Sequence, residues 1–176
     1  MGPINTGVNM ADISELVKRH FHVDDYHVLG FFGEYLFLSN FYKCSVTVDG
    51  ITYPSSEHAY MAEKTTDKLE KQKIANIPKC SDVKKYGSGE MIISKPYWEE
   101  YRLIAMMKVL MAKFTQNPDL RDKLLATGNK TLSEVNWWND KFWGEDEKGE
   151  GKTMLGECLM AVRSLIKESL RNENPN

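Results

Sequence analysis

The chain has 176 residues, of which 41% are hydrophobic and 27% charged, with a formal net charge of -2. That composition suits one globular domain with a real core, and the charge excludes a protein that holds nucleic acid through bulk positive charge. Three widely spaced cysteines, Cys44, Cys80 and Cys158, fit neither a disulfide framework nor a zinc site, and no run of about 18 apolar residues suggests a membrane span.

In chain order, residues 1–25 read as a leader with one short helix. Asp12 caps it and it runs to about Arg19, with His20 and His22 closing it. The start, Met1 to Gly7, lacks the basic and apolar stretches of a signal peptide, so a cytoplasmic location is expected. From Val28 to Tyr42 the chain is aromatic and carries Gly33, which reads as strand and tight loop. Cys44 to Tyr53 is a hairpin: Val46 and Val48 alternate with polar residues, and Asp49-Gly50 is the favoured two-residue turn. Pro54 is expected to end the second strand.

Ser55 or Ser56 caps a helix from about Glu57 to Thr65. Asp67-x-x-Glu70 predicts a capping box for the next helix, which stops before Pro78. Ser81 starts another, with Gly87 at its end. The longest helix is expected from Pro96 to Thr115, capped by Ser94, with Trp98, Tyr101, Ala105, Met106, Val109 and Phe114 at core spacing. Asn117-Pro118 restarts a helix to Ala126, and Gly128 terminates it. Thr131–Val135 is a short strand, and Trp137–Gly151 a structured loop. A final helix runs from Met154 to Leu170, with Leu155, Leu159, Val162 and Ile166 on one face; residues 172–176 are a disordered tail. The sum is a helix-rich α+β single domain with a small antiparallel β-sheet.

Four stretches carry candidate chemistry. In the first, Glu57 occupies the first turn of its helix, where the dipole favours a carboxylate. Lys64 lies two turns on, within about 20° of the same face. The competing reading is a capped surface helix with solvated charges, and His58 points elsewhere as a structural or hydrogen-bonding residue. In the second, Glu134 precedes Trp137, Trp138, Asp140, Trp143 and Gly144. Rings beside carboxylates suit a flat base and its sugar, or pin a loop by burial. The third is the glycine-bearing turn from Gly149 into the last helix. It lacks P-loop spacing, since position 146 is Asp146, and capping explains it as well as anion binding does. Within that helix, Arg163 is expected to pair with a carboxylate or a ligand phosphate. The fourth holds Trp98, which reads as core or stacking residue, and Lys113, a phosphate or carboxylate partner or part of a solvated face. No Ser-His-Asp arrangement and no histidine-rich metal spacing is present.

These residues fall in a familiar order. Phe41 in Leu38-Ser-Asn40-Phe41, Tyr53-Pro-Ser-Ser-Glu57-His58, Lys64, Gly87, Trp98, Lys113-Phe114, Leu124-Leu-Ala-Thr-Gly128, Glu134, Asp140-x-x-Trp143-Gly144 and Gly151-Lys-x-x-Leu155-Gly156-x-x-Leu159-Met160-x-x-Arg163 resemble the YbiA/NADAR family over residues 30–167. The resemblance implies an α+β fold and N-glycosidase activity in a catalytic domain at 26–171. Some members of that family are implicated in hydrolysing ribosylamino-pyrimidine phosphates of riboflavin synthesis; others remove ADP-ribose from guanine bases. It also implies that Glu57, Trp98, Asp140 and Trp143 line the pocket.

The expected catalytic residues are therefore Glu57, Asp140 and Lys64. Expected to bind substrate are Trp98, Trp143, Asn40, Phe41, Lys113, Glu134, Gly144 and Arg163. Carboxylates would stabilise an oxocarbenium-like sugar or align water, and an amine would form a Schiff base with an opened ribose. No metal or cofactor is called for. The expected substrate is a small ribosyl-phosphate or ADP-ribose compound, ADP-ribosylated guanine in nucleic acid included, with no membrane partner. The rival readings are a non-catalytic NAD- or ADP-ribose-binding module and an interaction domain that binds a partner through exposed tryptophans.

Overall fold

A computed structural model describes residues 21–89 and 92–173. The expected helix from Asp12 to Arg19 lies outside them, as do residues 174–176. Among the described residues the elements are β1 (His22–Val23), β2 (His27–Leu29), a 3-10 helix (Gly33–Leu38), β3 (Lys43–Val48), β4 (Ile51–Ser55), α1 (Ser56–Ala62), α2 (Lys68–Ala75), α3 (Cys80–Ser88), α4 (Trp98–Gln116), α5 (Pro118–Ala126), β5 (Thr131–Ser133) and α6 (Met154–Glu173). The class is α+β, as the sequence pattern indicates. The described residues cluster into two compact units, one formed by 21–39 and 123–173, the other by 40–89 and 92–122.

In the first unit, β1 pairs antiparallel with β2, and β2 pairs parallel with β5. The parallel pair was not expected; it arises because the segment between β2 and β5 is a long crossover. The aromatic stretch expected as strand and loop contains the 3-10 helix, which buries Phe37 and Leu38. Helix α6 packs on β5 and buries Leu155, Leu159, Val162 and Ile166. It extends to Glu173 and, at 20 residues, is one longer than α4. It approaches the sheet closely at Gly156, where an added Cβ would sit 1.8 Å from the Leu132 carbonyl oxygen.

The second unit is a hairpin and four helices. Asp49 and Gly50 both have positive φ (50° and 77°), as a mirror-image two-residue turn demands. Strand β4 continues through Pro54 to Ser55. Proline is tolerated there because β4 has a partner on one side only and the ladder is irregular between Lys43 and Val46. Helix α4 packs on β3, and α1 packs against α2, α3, α4 and β4.

Several expected signals work differently. Asp67 caps α2 by accepting from the Leu69 and Glu70 N–H groups, but Glu70 turns away to Lys73 and Tyr86, so the capping box is half formed. Gly87 lies inside α3 rather than at its end. Its absent side chain makes room for Met61, whose Sδ would be 2.3 Å from an added Cβ. Ser94 does not cap α4. The Lys95 N–H is committed to the Lys64 carbonyl at 2.7 Å, and the helix starts only after Tyr97, whose φ is 59°.

All seven residues of α1 are buried, and its C-cap, Glu63, is only 1% exposed. A buried carboxylate needs compensation. Lys108, Lys71 and Lys95 lie 3.2, 3.5 and 3.6 Å from it, and the Tyr101 hydroxyl donates at 3.2 Å. Burial raises the Glu63 pKa, but Lys71, Lys108 and Lys95 outweigh it, leaving the group below its ordinary value of 4.5. A depressed folded-state pKa contributes stability that is complete above the unfolded value and lost as pH falls through the folded one. Denaturation midpoints should therefore drop on acidification below 4.5, and Glu63→Gln should flatten that dependence. A second expectation concerns Gly156. Alanine in a helix interior ordinarily stabilises by about 1 kcal/mol over glycine, but here Gly156→Ala should destabilise by about 3 kcal/mol through the clash with backbone. Urea unfolding of the variant measures the sign.

Candidate active site

Burial decides the reading of Glu57. A solvated surface helix is excluded, because Glu57 is 5% exposed and lies in a helix enclosed by α2, α3, α4 and both hairpin strands. The first turn is tightly specified. Ser55, in extended conformation, caps α1 by accepting from the His58 N–H. The Asn40 carbonyl accepts from the Glu57 N–H at 3.0 Å and from the Ser56 hydroxyl at 3.3 Å. Asn40 is itself buried; its Nδ2 reaches only the Met106 sulfur, and its Oδ1 has no hydrogen-bond partner among the described residues.

Helix α1 ends at Ala62, so Lys64 sits in the turn beyond it rather than on its second turn. The amine nevertheless stays in the same neighbourhood. Its Nζ donates to the Gly87 carbonyl at 2.6 Å and lies 5.7 Å from the centre of the Trp98 ring. Trp98 in turn packs on Tyr60, with centroids 5.5 Å apart. Burial lowers the Lys64 pKa, while Glu57 and Glu99 oppose the fall. Glu57, Lys64, Tyr60 and Trp98 are thus one cluster of carboxylate, amine and two rings.

His58 is a structural residue, as the sequence suggests. Its Nδ1 is 2.7 Å from the Ser55 hydroxyl and its Nε2 is 2.9 Å from the Ile77 carbonyl. Burial lowers its pKa, against the carbonyl contact. Cys80, 3.2 Å from the same hydroxyl, has its thiol pushed up by burial and so stays protonated at neutral pH.

Lys113 is not on a solvated face. It is fully buried, with Tyr42 and Phe114 rings 5.9 and 5.2 Å from its Nζ. Burial takes its pKa down to about 8, with nearby Cys44 opposing. Phe41 is 36% exposed and carries Lys84 over its ring at 5.9 Å.

In the other unit, Asp140 is held by a small frame of hydrogen bonds. Its Oδ1 accepts from the Phe142 and Trp143 N–H groups at 3.3 and 3.0 Å. Asn136, 1% exposed, grips the Asp140 backbone from both sides, accepting from its N–H and donating to its carbonyl, each at 3.0 Å. Asn139 takes a left-handed conformation to allow this, with φ 62°. Glu134 contributes its carbonyl to the Glu145 N–H at 2.9 Å. Gly144 packs so closely on that carbonyl that an added Cβ would be 2.3 Å from its oxygen. Trp143 is half-buried, edge-on to Phe142 with centroids 4.9 Å apart, and its carbonyl accepts from the first turn of α6. Trp137, 42% exposed, stacks on Phe32.

Sequence reasoning missed Asn136 and Glu145. Glu145 accepts from the Ser133 hydroxyl and bridges Val135 and Gly151 through its backbone. The available signal was a lone asparagine between an apolar strand and a tryptophan pair. Among the described residues Arg163 does not pair with a carboxylate: its Nη1 donates to the Thr127 hydroxyl at 2.7 Å and to the Lys130 carbonyl at 2.9 Å. Among the described residues no group of three or more His, Cys, Asp or Glu side chains could hold a metal ion, and no helix is long and apolar enough to cross a membrane.

With this geometry in hand, comparison with known proteins is decisive. The NADAR domain model matches residues 30–167. The chain belongs to the NADAR domain family. It is 34% identical to N-glycosidase YbiA of Escherichia coli over 152 residues, covering 85% of this chain and 94% of that protein. It is 36% identical over 132 residues to riboflavin biosynthesis protein VVA0006 of Vibrio vulnificus; the match takes in 75% of this chain but only 36% of the longer Vibrio protein. N-glycosidase R617 of Acanthamoeba polyphaga mimivirus is 32% identical over 125 residues, 63% of this chain and 73% of the viral one. The NMR structure of E. coli YbiA superposes with a TM-score of 0.73 at 33% identity, covering 86% of this chain and 91% of that one.

The frame around Asp140 yields a direct test. Asn136→Ala removes both grips on the Asp140 backbone and leaves buried groups unsatisfied, a loss of about 2 kcal/mol. Amide hydrogen exchange at Phe142 and Trp143 should accelerate by roughly tenfold or more; unchanged protection would show that the loop holds its shape without Asn136.

Proposed function

We propose that this chain is an N-glycosidase that hydrolyses the bond between a ribosyl phosphate or ADP-ribose unit and a base-like leaving group. The observation that carries the reading is the buried Glu57 carboxylate at the start of α1, with the Lys64 amine and the Trp98 and Tyr60 rings beside it. Family membership supports it, since relatives named N-glycosidases match most of this chain.

Cleavage of a C–N glycosidic bond places positive charge on the sugar ring in the transition state. A carboxylate shielded from water acts on that charge far more strongly than a solvated one, because little solvent screens it. Glu57 fills this role, either as electrostatic stabiliser or by taking a proton from the attacking water. Lys64 contributes in one of two ways. As a cation it feels the Glu57 charge and attracts a phosphate. As a neutral amine, favoured by its burial, it adds to C1 of the ring-opened riboside and expels the base with its proton, and water then hydrolyses the resulting Schiff base to free sugar and amine. In the other unit, Asp140 is a second carboxylate suited to catalysis by its own local frame. Two backbone N–H groups hold its carboxylate in one orientation, which suits a group that must meet a sugar hydroxyl or the water at fixed geometry. Trp98, beside Lys64, offers a flat apolar face to the base. Asn40, with an acceptor oxygen unmatched among the described residues, suits a ligand hydroxyl or N–H.

The test is turnover of ribosylamino-pyrimidine phosphates, NAD and ADP-ribosylated guanosine, read as free base and free sugar phosphate by chromatography. Wild-type protein should turn over at least one. Glu57→Gln, which keeps the shape and the cap, should lower kcat by about 10²-fold or more with an unchanged melting temperature. Equal rates for the two proteins would end the assignment of Glu57, and calorimetric binding of ADP-ribose with no turnover of any N-riboside would end the enzymatic reading.

A further inference from the structure

Helix α6 carries a feature that the glycosidase reading does not use. A groove of about 370 Å³ runs along its second half, lined by Gly128, Asn129, Arg163, Lys167, Glu168 and Arg171. The three cations stand four residues apart, so each step advances about 6 Å along the axis and turns only about 40°. They form a line facing the turn that follows α5. One carboxylate, Glu168, accompanies them.

The groove is separate from the loop that holds Asp140. That loop meets α6 at its first turn, where Met154 and Leu155 donate to the Phe142 and Trp143 carbonyls. Arg163 lies eight residues beyond Leu155, about 12 Å farther along the axis.

Arg163 is the built part of the groove. It is 8% exposed, and both hydrogen bonds of its guanidinium to described residues leave from Nη1, to Thr127 and Lys130. The head group is therefore held rigid from one side. Guanidinium is a planar fork that matches two oxygens of a phosphate at once. Lys167 and Arg171 form no ion pair among the described residues, so the wall of the groove keeps its positive charge. In a chain whose net charge is -2, this is a local concentration of cations rather than part of a basic surface. The volume falls at the lower end of small-molecule sites, roughly 300–1,000 Å³.

We propose that this groove is an anion site that takes the phosphate or diphosphate group of a small ligand, with Arg163 as the orienting fork and Lys167 and Arg171 as the charged wall. The proposal stands apart from Glu57 and is read without turnover, so its failure would leave the glycosidase reading untouched, and the reverse.

The experiment is an amide chemical-shift titration with inorganic pyrophosphate at low ionic strength. Saturable shifts should appear at Gly128, Asn129 and Ser164. The double variant Lys167→Ala/Arg171→Ala, altered only at exposed positions, should fold normally and bind about tenfold more weakly or worse. Arg163→Lys, which keeps the charge and loses the fork, should also weaken binding. The proposal is overturned if wild-type protein shows no shifts up to about 10 mM pyrophosphate, if the shifts map elsewhere, or if the double variant binds equally well. It is also overturned if a single-stranded oligonucleotide binds far tighter than pyrophosphate with a steep salt dependence, since the groove would then be part of a polyanion track.

Discussion

The structure turns on enclosing a short helix that has a carboxylate in its first turn and another at its C-cap. Every residue of α1 is buried, and Glu57 and Glu63 are buried with it. Water cannot pay the solvation of those charges, so the protein must supply it. At Glu63 it does so with three lysines and a tyrosine hydroxyl drawn from α2, α4 and the segment before α4. Removing one partner of such a buried group typically costs about 3–5 kcal/mol, which makes the arrangement of those elements as much electrostatic as apolar. At Glu57 the backbone is fixed by Asn40 and Ser55, and Lys64, an amine that feels its charge, is itself half-buried. Glu63 meets three lysines and a tyrosine hydroxyl at the C-cap; Glu57 stands in the first turn, in electrostatic contact with Lys64.

The loop around Asp140 shows a different kind of precision. It has almost no regular structure, yet its backbone is accounted for by Asn136, by the Glu134 and Glu145 pairing, and by the start of α6. Glycines make the close approaches possible: Gly144 against Glu134, Gly151 against Gly144, and Gly156 against Leu132. In each case a methyl group would meet backbone atoms that cannot swing away. The family motif from Asp140 to Gly156 is thus largely a packing motif, with Asp140 and Trp143 as the side chains it presents.

Local signals in the sequence are read well where the physics is local. The hairpin at Asp49-Gly50 needs two positive φ values, and that dipeptide supplies them. The start of α5 at Pro118, its stop before Gly128, and the apolar stripe of α6 follow from residues within a turn or two. The failures are non-local. For Glu57 and Lys64 the residues by themselves leave a solvated surface helix open beside a reactive face, because nothing within the stretch says that α2, α3, α4 and β4 will close around it. Gly87 looks like a helix terminator, since only the fold brings Met61 against it. Ser94 and Pro96 look like a helix start, but the Lys95 N–H is drawn to Lys64, which is far off in sequence. Lys113 looks like a surface residue for the same reason. Among the candidate site residues, the types were legible, and the ordered motifs pointed to the family. The burial that distinguishes a reactive group from a solvated one was not.

Taken together, the chain is a NADAR family member whose α1 carboxylate is kept from water and held beside an amine and two aromatic rings. The most direct test of that account is a crystal structure with ribose 5-phosphate bound. The account predicts that a carboxylate oxygen of Glu57 lies within about 3 Å of a sugar oxygen, or of a water that touches the anomeric carbon. A sugar bound with Glu57 out of reach, its carboxylate engaged only with protein groups, would contradict it.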